Sequence, residues 1–257
     1  MLEIPHPVAQ TVHTDGDAPV VLVCEHASNT IPDCLDDLGI DSEVRSSHAA
    51  WDIGAHDVAK ALSSKLDAPL VACTVSRLAY DCNRPFDAPD SIPSISEKYK
   101  IPGNRELSAE DRRQRFEQIH NPFHEAVRRA IKSQKDRIDV PLTLVTVHSF
   151  APIYNGEERD VEIGFLHDAC DRVARAALRR EEAKNKHHCV LNEPYDASDG
   201  VTYTLRKHAG APGDGSIMVE IRNDLIDTPD KAVTIAKHLA DTLSFAIDAS
   251  AEVSESN

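Results

Sequence analysis

"APVVLVCEHASNTIP", residues 18–32, carries the reading of the fold. Val20 to Cys24 are apolar at every position rather than at alternate ones, the pattern of a strand buried on both faces. Pro19 bounds the run on one side and a polar turn after His26 on the other. Similar runs recur at "APLVACTVS" (68–76), "PLTLVTVHSF" (141–150), "RDVEIGFLHD" (159–168), "HHCVL" (187–191) and "GSIMVEIRN" (215–223). Helical patterns lie between them. "WDIGAHDVAKALSSKL" (51–66) places Ile53, Val58, Ala61, Leu62 and Leu66 at helical spacing. Ser108 with Asp111 reads as an N-cap, opening a helix to about Arg137 that Pro122 interrupts, starting a second segment as its N1 residue. "ACDRVARAALRREEAKN" (169–185) and "TPDKAVTIAKHLADTLSFAI" (228–247) complete the set, with Thr228 and Pro229 at N-cap and N1. The alternation predicts one α/β domain over residues 1–257, with a mostly parallel or mixed central sheet covered by helices on both faces. Residues 1–17 and 249–257 read as flexible ends, and residues 84–105 as a long surface loop.

A formal charge of −15, from 43 acidic and 28 basic residues, opposes a nucleic-acid surface. No run reaches the roughly 18 apolar residues of a membrane span, and the N-terminus lacks the pattern of a signal peptide. The six cysteines form no CxxC pair, so reduced thiols in a cytoplasm are expected. The expected partner is a small molecule. No Gly-rich phosphate loop follows any strand, which removes dinucleotide and P-loop readings.

In a sheet of this kind the site lies beyond the carboxyl ends of the strands. Those ends deliver Glu25-His26, "SRLAYDCNRP" (76–85), His148-Ser149 and "EIRND" (220–224). Two histidines and a carboxylate suit a catalytic Zn2+ with one position open to water. His26 and His148 are the candidate imidazoles. Asp52 is either the carboxylate ligand or a cap on the helix beside it. Glu25 and His48 stand in reserve, His48 lying one helical turn before Asp52. Glu220, a lone acid in an apolar strand end, is the candidate general base or an ion-pair partner of Arg222. Arg77, Asn83 and Arg84 offer a fork for a carboxylate, or pair with Asp81 and Asp87; Arg222 is a further candidate for binding substrate. His120 and His124 read as core or surface residues, His124 being the one of the two that could reach the site, and His187-His188 as a solvated turn.

Seven blocks in order give these residues a family context: "CEHASNTIP" (24–32), "HAAWDIGA" (48–55), "SRLAYDCNRPFD" (76–87), "NPFHEAV" (121–127), "VTVHSFAP" (145–152), "LNEPYDASDGVTYTL" (191–205) and "MVEIRNDLI" (218–226). Together they resemble the N-formylglutamate amidohydrolase family, whose fold is zinc-carboxypeptidase-like. The run Asp81-Asn83-Arg84 also resembles the substrate-carboxylate motif of aspartoacylase and succinylglutamate desuccinylase. The resemblance implies zinc-dependent hydrolysis of an N-acyl, here N-formyl, acidic amino acid. It further implies His26 and His148 as metal ligands, Glu220 as base, and Arg77, Asn83 and Arg84 on the substrate carboxylates. The relatives' HxxE ligand pair meets Asn29 in place of Glu, and Asp52 is taken as the substitute. His26 would then hold zinc, with Glu25 orienting it. Two rivals remain: a metal-free amidase with Cys24 as nucleophile beside His26, and a carboxylate-binding protein without turnover.

Overall fold

A computed structural model describes residues 3–211 and 213–254. Its centre is a seven-stranded sheet of β1 (Ala9–Val12), β2 (Val20–Cys24), β3 (Leu70–Cys73), β6 (Thr143–Phe150), β9 (Ile163–Leu166), β10 (Cys189–Leu191) and β11 (Gly215–Arg222), in the order β1-β3-β2-β6-β11-β9-β10. Two small hairpins, β4 (Ile95–Ser96) with β5 (Tyr99–Lys100) and β7 (Ile153–Tyr154) with β8 (Glu157–Glu158), stand apart from it. The four middle strands are mutually parallel; β1 runs antiparallel to β3, β9 antiparallel to β11, and β10 parallel to β9. The sheet is therefore mixed, with its parallel part in the middle.

Alternation along the strands divides the core in two. Leu22, Cys24, Leu70, Val145, Val147, Ile217 and Val219 pack on one face against α2 (Ala55–Leu66), α5 (Arg172–Lys184) and α7 (Pro229–Ser254). Val21, Val23, Val71, Leu144 and Met218 pack on the other against Phe123, Val127 and Ala130 of α4 (Asn121–Arg137) and Leu205 of α6 (Tyr203–His208). Burial on both faces is what makes the middle strands read as unbroken apolar runs. A third cluster, with Ile31, Val44, Leu78 and Ile101, packs under α1 (Ser42–Ser46) and the loop after β3.

Several sequence expectations meet their outcome here. Ser108 caps α3 (Ala109–Arg115) in a complete capping box with Asp111, and the Lys231 amide donates to the Thr228 hydroxyl at 3.4 Å. Pro122 lies in the first turn of a second segment, α4, as expected of an N1 residue, although the backbone stays helical across the junction. A π-helical turn at Phe116–His120 joins α3 to α4, with the Asn121 amide donating five residues back to the Phe116 carbonyl. The wider turn absorbs the donor that Pro122 lacks. The N-terminal segment, expected as a flexible end, contains β1, an edge strand whose partly exposed residues leave no apolar signature. At the other end α7 continues to Ser254, and residues 255–257 of the expected flexible end lie outside the described residues. The loop over 84–105 contains the β4–β5 hairpin. Among the described residues no helix is long and apolar enough to cross a membrane.

Candidate active site

The carboxyl ends of β3, β2, β6 and β11 open on one edge of the sheet, where a cleft of about 570 Å³ lies. Its floor is made by three buried side chains. His148 comes from β6 and stands in register with Glu220 on β11. His26 follows β2 by two residues. Asp52 sits in the turn before α2, its amide donating to the His26 carbonyl at 3.0 Å. The N-cap of α2 is Gly54, not Asp52, so the Asp52 carboxylate is free of capping duty and turns inward.

The three groups converge. Asp52 Oδ2 lies 2.9 Å from His148 Nδ1 and 3.3 Å from His26 Nδ1, and the three ligand atoms lie within 4.8 Å of one another. The imidazoles meet edge to face, with centroids 5.0 Å apart. Each uses its other nitrogen on a second carboxylate: His26 Nε2 is 2.8 Å from Asp81 Oδ1, and His148 Nε2 is 3.1 Å from Glu25 Oε2. The first contact is a hydrogen bond; the second has the distance but not the alignment of one. A carboxylate behind each histidine is how metal-binding imidazoles are held in one tautomer and orientation.

The electrostatics favour a cation at this point. Burial alone would lower the pKa of both imidazoles, yet Asp81 and Asp52 raise that of His26, and Glu25 and Asp52 raise that of His148. Asp52 is held well below the usual carboxylate range, because His26 and Arg77 outweigh its burial. A field that holds protons on two buried imidazoles also rewards a divalent ion that displaces them. Two nitrogens and one oxygen form a donor set suited to zinc. These residues fit the metal.

Glu220 stands beside the trio in a different state. Burial pushes its carboxyl up to about 7, against the opposing pull of His148, and its Oε2 is buried without a hydrogen-bond partner among the described residues. Arg77 braces the trio from the rim. It donates to Asp52 Oδ1 at 3.2 Å and to the carbonyls of Ala49 and His48 at 3.2 and 2.5 Å.

A family model for N-formylglutamate amidohydrolase matches residues 18–227. The chain belongs to the N-formylglutamate amidohydrolase family. The match takes in every element that supplies the cleft floor. A crystallographically determined gene product of Agrobacterium tumefaciens is 42% identical, with a TM-score of 0.91 over 95% of this chain and 96% of that one. The N-formylglutamate amidohydrolase of Ralstonia eutropha is 18% identical, with a TM-score of 0.68 over 93% of this chain and 96% of that one, a likeness of fold. No curated protein sequence matches the chain.

Within this family fold, the sequence candidates are distributed as follows. His26, Asp52, His148 and Glu220 come together. Glu25 is beside His148, not His26: alternation turns it from the His26 side toward β6, the next strand in the sheet. His48 lines the cleft with Nδ1 3.9 Å from Asp52 Oδ1, outside the trio. Burial, aided by Arg77, lowers its pKa to about 3. Asn83 spends its amide on structure, donating to the Val201 carbonyl at 2.5 Å and accepting from the Thr204 amide. Arg84 pairs with Asp90 and donates to the carbonyls of Asn83 and Gly200. Arg222 does not line the cleft and makes no pair with Glu220. Asp224, two residues on, gives it a closer fork partner at 2.8 and 3.3 Å. Cys24 is fully buried, and burial reinforced by Asp52 raises its thiol pKa well above the ordinary value, the reverse of an activated nucleophile.

The sequence offers Asp81 as a partner for arginines or as part of a substrate-carboxylate motif, not as the partner of His26, and it does not single out Tyr195 or Arg159. Asp81 was within reach through its DxNR context. Arg159 follows the β7–β8 hairpin, and no local pattern sets it apart from other surface arginines.

Proposed function

We propose that this chain is a zinc-dependent hydrolase of N-acyl amino acids that cleaves N-formyl-L-glutamate to formate and L-glutamate. The observation that carries the reading is the convergence of His26, His148 and Asp52 beside the unpartnered, buried oxygen of Glu220. His26, Asp52 and His148 hold the metal, with Asp81 and Glu25 orienting the histidines. Bound there, zinc supplies Lewis acidity, lowering the pKa of water and polarising an amide carbonyl. Glu220 accepts a proton from the attacking water at Oε2 and returns it to the departing amine nitrogen. A carboxyl that burial pushes up to about 7 suits both transfers, since near that pH it can accept and return a proton. Arg77, tied to Asp52 and to the 48–49 backbone, keeps the ligand turn in place rather than gripping substrate. A cleft of about 570 Å³ has room for a small organic molecule. We assign the protein to the cytoplasm on the strength of its six unpaired cysteines.

The test is formate release from N-formyl-L-glutamate, measured before and after treatment with a chelator and after zinc is restored. Release that chelation abolishes and zinc restores is expected. Release indifferent to chelation would refute the metal mechanism, and release from other N-acyl amino acids alone would reassign the substrate.

A further inference from the structure

Three arginines line the cleft: Arg77, Arg84 and Arg159. Arg77 is committed to Asp52, and Arg84 to Asp90. Arg159 has no carboxylate partner among the described residues. Of the three cleft arginines it alone keeps its charge free of a counter-ion.

Its surroundings are built to keep it so. The guanidinium lies 4.6 Å from the Tyr154 ring centroid, 4.9 Å from that of Tyr195 and 5.5 Å from that of Phe150. These rings cover apolar surface without neutralising the charge. The backbone is pinned on both sides. The Arg159 amide donates to the Pro152 carbonyl at 2.9 Å, and its carbonyl accepts from Arg222 Nη1 at 3.1 Å. Arg222 is itself fixed by Asp224, so it acts on the cleft only by holding the hairpin. Nη1 of Arg159 donates to the Tyr195 hydroxyl at 3.0 Å. That hydroxyl therefore accepts from Arg159 and keeps its own hydrogen to give. A guanidinium and a phenol hydrogen side by side match the two oxygens of a carboxylate.

We propose that Arg159 and Tyr195 form the subsite that binds the substrate carboxylate, seating an N-acyl amino acid with its anionic end below the β7–β8 hairpin. The acyl end then lies toward His26, His148 and Glu220. Asp90, Glu97 and Asp199 on the lining disfavour an anion elsewhere in the cleft. The proposal rests on reading the cleft as a site for N-acyl amino acids, and it moves carboxylate recognition from Asn83 and Arg84 to Arg159.

The test uses the full chain and glutarate, a dicarboxylate that cannot react, with binding followed by calorimetry. Arg159→Met, which keeps a side chain against the rings but removes the charge, should weaken glutarate about 10- to 100-fold. Arg159→Lys should fall between, because the charge remains and the fork is lost. In turnover, KM for N-formyl-L-glutamate should rise by a similar factor in Arg159→Met while kcat changes much less. The preference for the acid over its dimethyl ester should fall with it. Undiminished glutarate affinity in Arg159→Met, or wild-type protein that binds no glutarate, would overturn the proposal. Arg159-dependent glutarate binding in a protein that releases no formate would leave the proposal standing and overturn the deformylase reading alone.

Discussion

Glu220 and Asp52 are both buried carboxylates lining the same cleft, and their neighbours give them opposite tasks. His26 and Arg77 keep Asp52 ionised, as a ligand must be, while burial holds Glu220 near neutrality. Glu220→Gln preserves shape and removes the base, so kcat should fall by roughly 10²–10⁴-fold with KM little changed. Equal loss in KM and kcat, or none, would contradict the assignment. The pH dependence has a definite sign. The base is competent when ionised, so kcat/KM should rise with pH through a limb near 7, and Glu220→Gln should lack that limb. His26, His148 and Glu220 were legible because strand ends mark the site and few residue types do this chemistry. Asp52 remained double-valued in sequence. A carboxylate near a helix start serves capping and ligation equally well until the cap is seen to be Gly54. Arg159 was illegible, because its distinction is the absence of a partner and the presence of three rings from separate segments.

At the level of elements, the turn between α1 and α2 decides whether Asp52 reaches the histidines. Gly54 sits at φ +79°, and a Cβ there would lie 2.1 Å from the Ile226 carbonyl oxygen. Gly54→Ala should therefore destabilise the fold by about 1–3 kcal/mol, read as a lower midpoint in denaturant, and should weaken metal binding by shifting the turn. A variant with wild-type stability and metal affinity would show that the turn tolerates displacement. The middle strands and long helices were legible because each buries a regular face. β1, the π turn and α6 were not. Their signals are too short, or are set by a hydrogen-bond mismatch at Pro122 that only the assembled helix displays.

Across the whole molecule, the same folding that assembles the cleft buries a second group of imidazoles between α4 and α6. His124 Nδ1 is 2.8 Å from His208 Nε2, and His124 Nε2 is 2.8 Å from the Cys82 carbonyl. His120 lies 3.0 Å from the Tyr203 hydroxyl. Burial lowers the pKa of His120 to about 4, of His124 to about 2 and of His208 to about 4. Between the ordinary histidine range and those values the unfolded chain binds more protons than the folded one. The contribution of these three groups is therefore full above pH 6.5 and lost as pH falls toward 4. His120 alone accounts for on the order of 1–3 kcal/mol of this. Melting temperature should drop over that window, and His120→Asn should flatten the drop; a pH-independent melting temperature between 6.5 and 4 would contradict the burial of neutral imidazoles.

The whole arrangement turns on the claim that His26, Asp52 and His148 hold a divalent metal. The most direct test is the metal content of protein purified without chelators, compared between wild type and Asp52→Ala. Roughly one zinc per chain in wild type and near none in a folded Asp52→Ala variant is the expected result. Wild-type protein without metal, or a variant that keeps its full complement, would contradict it.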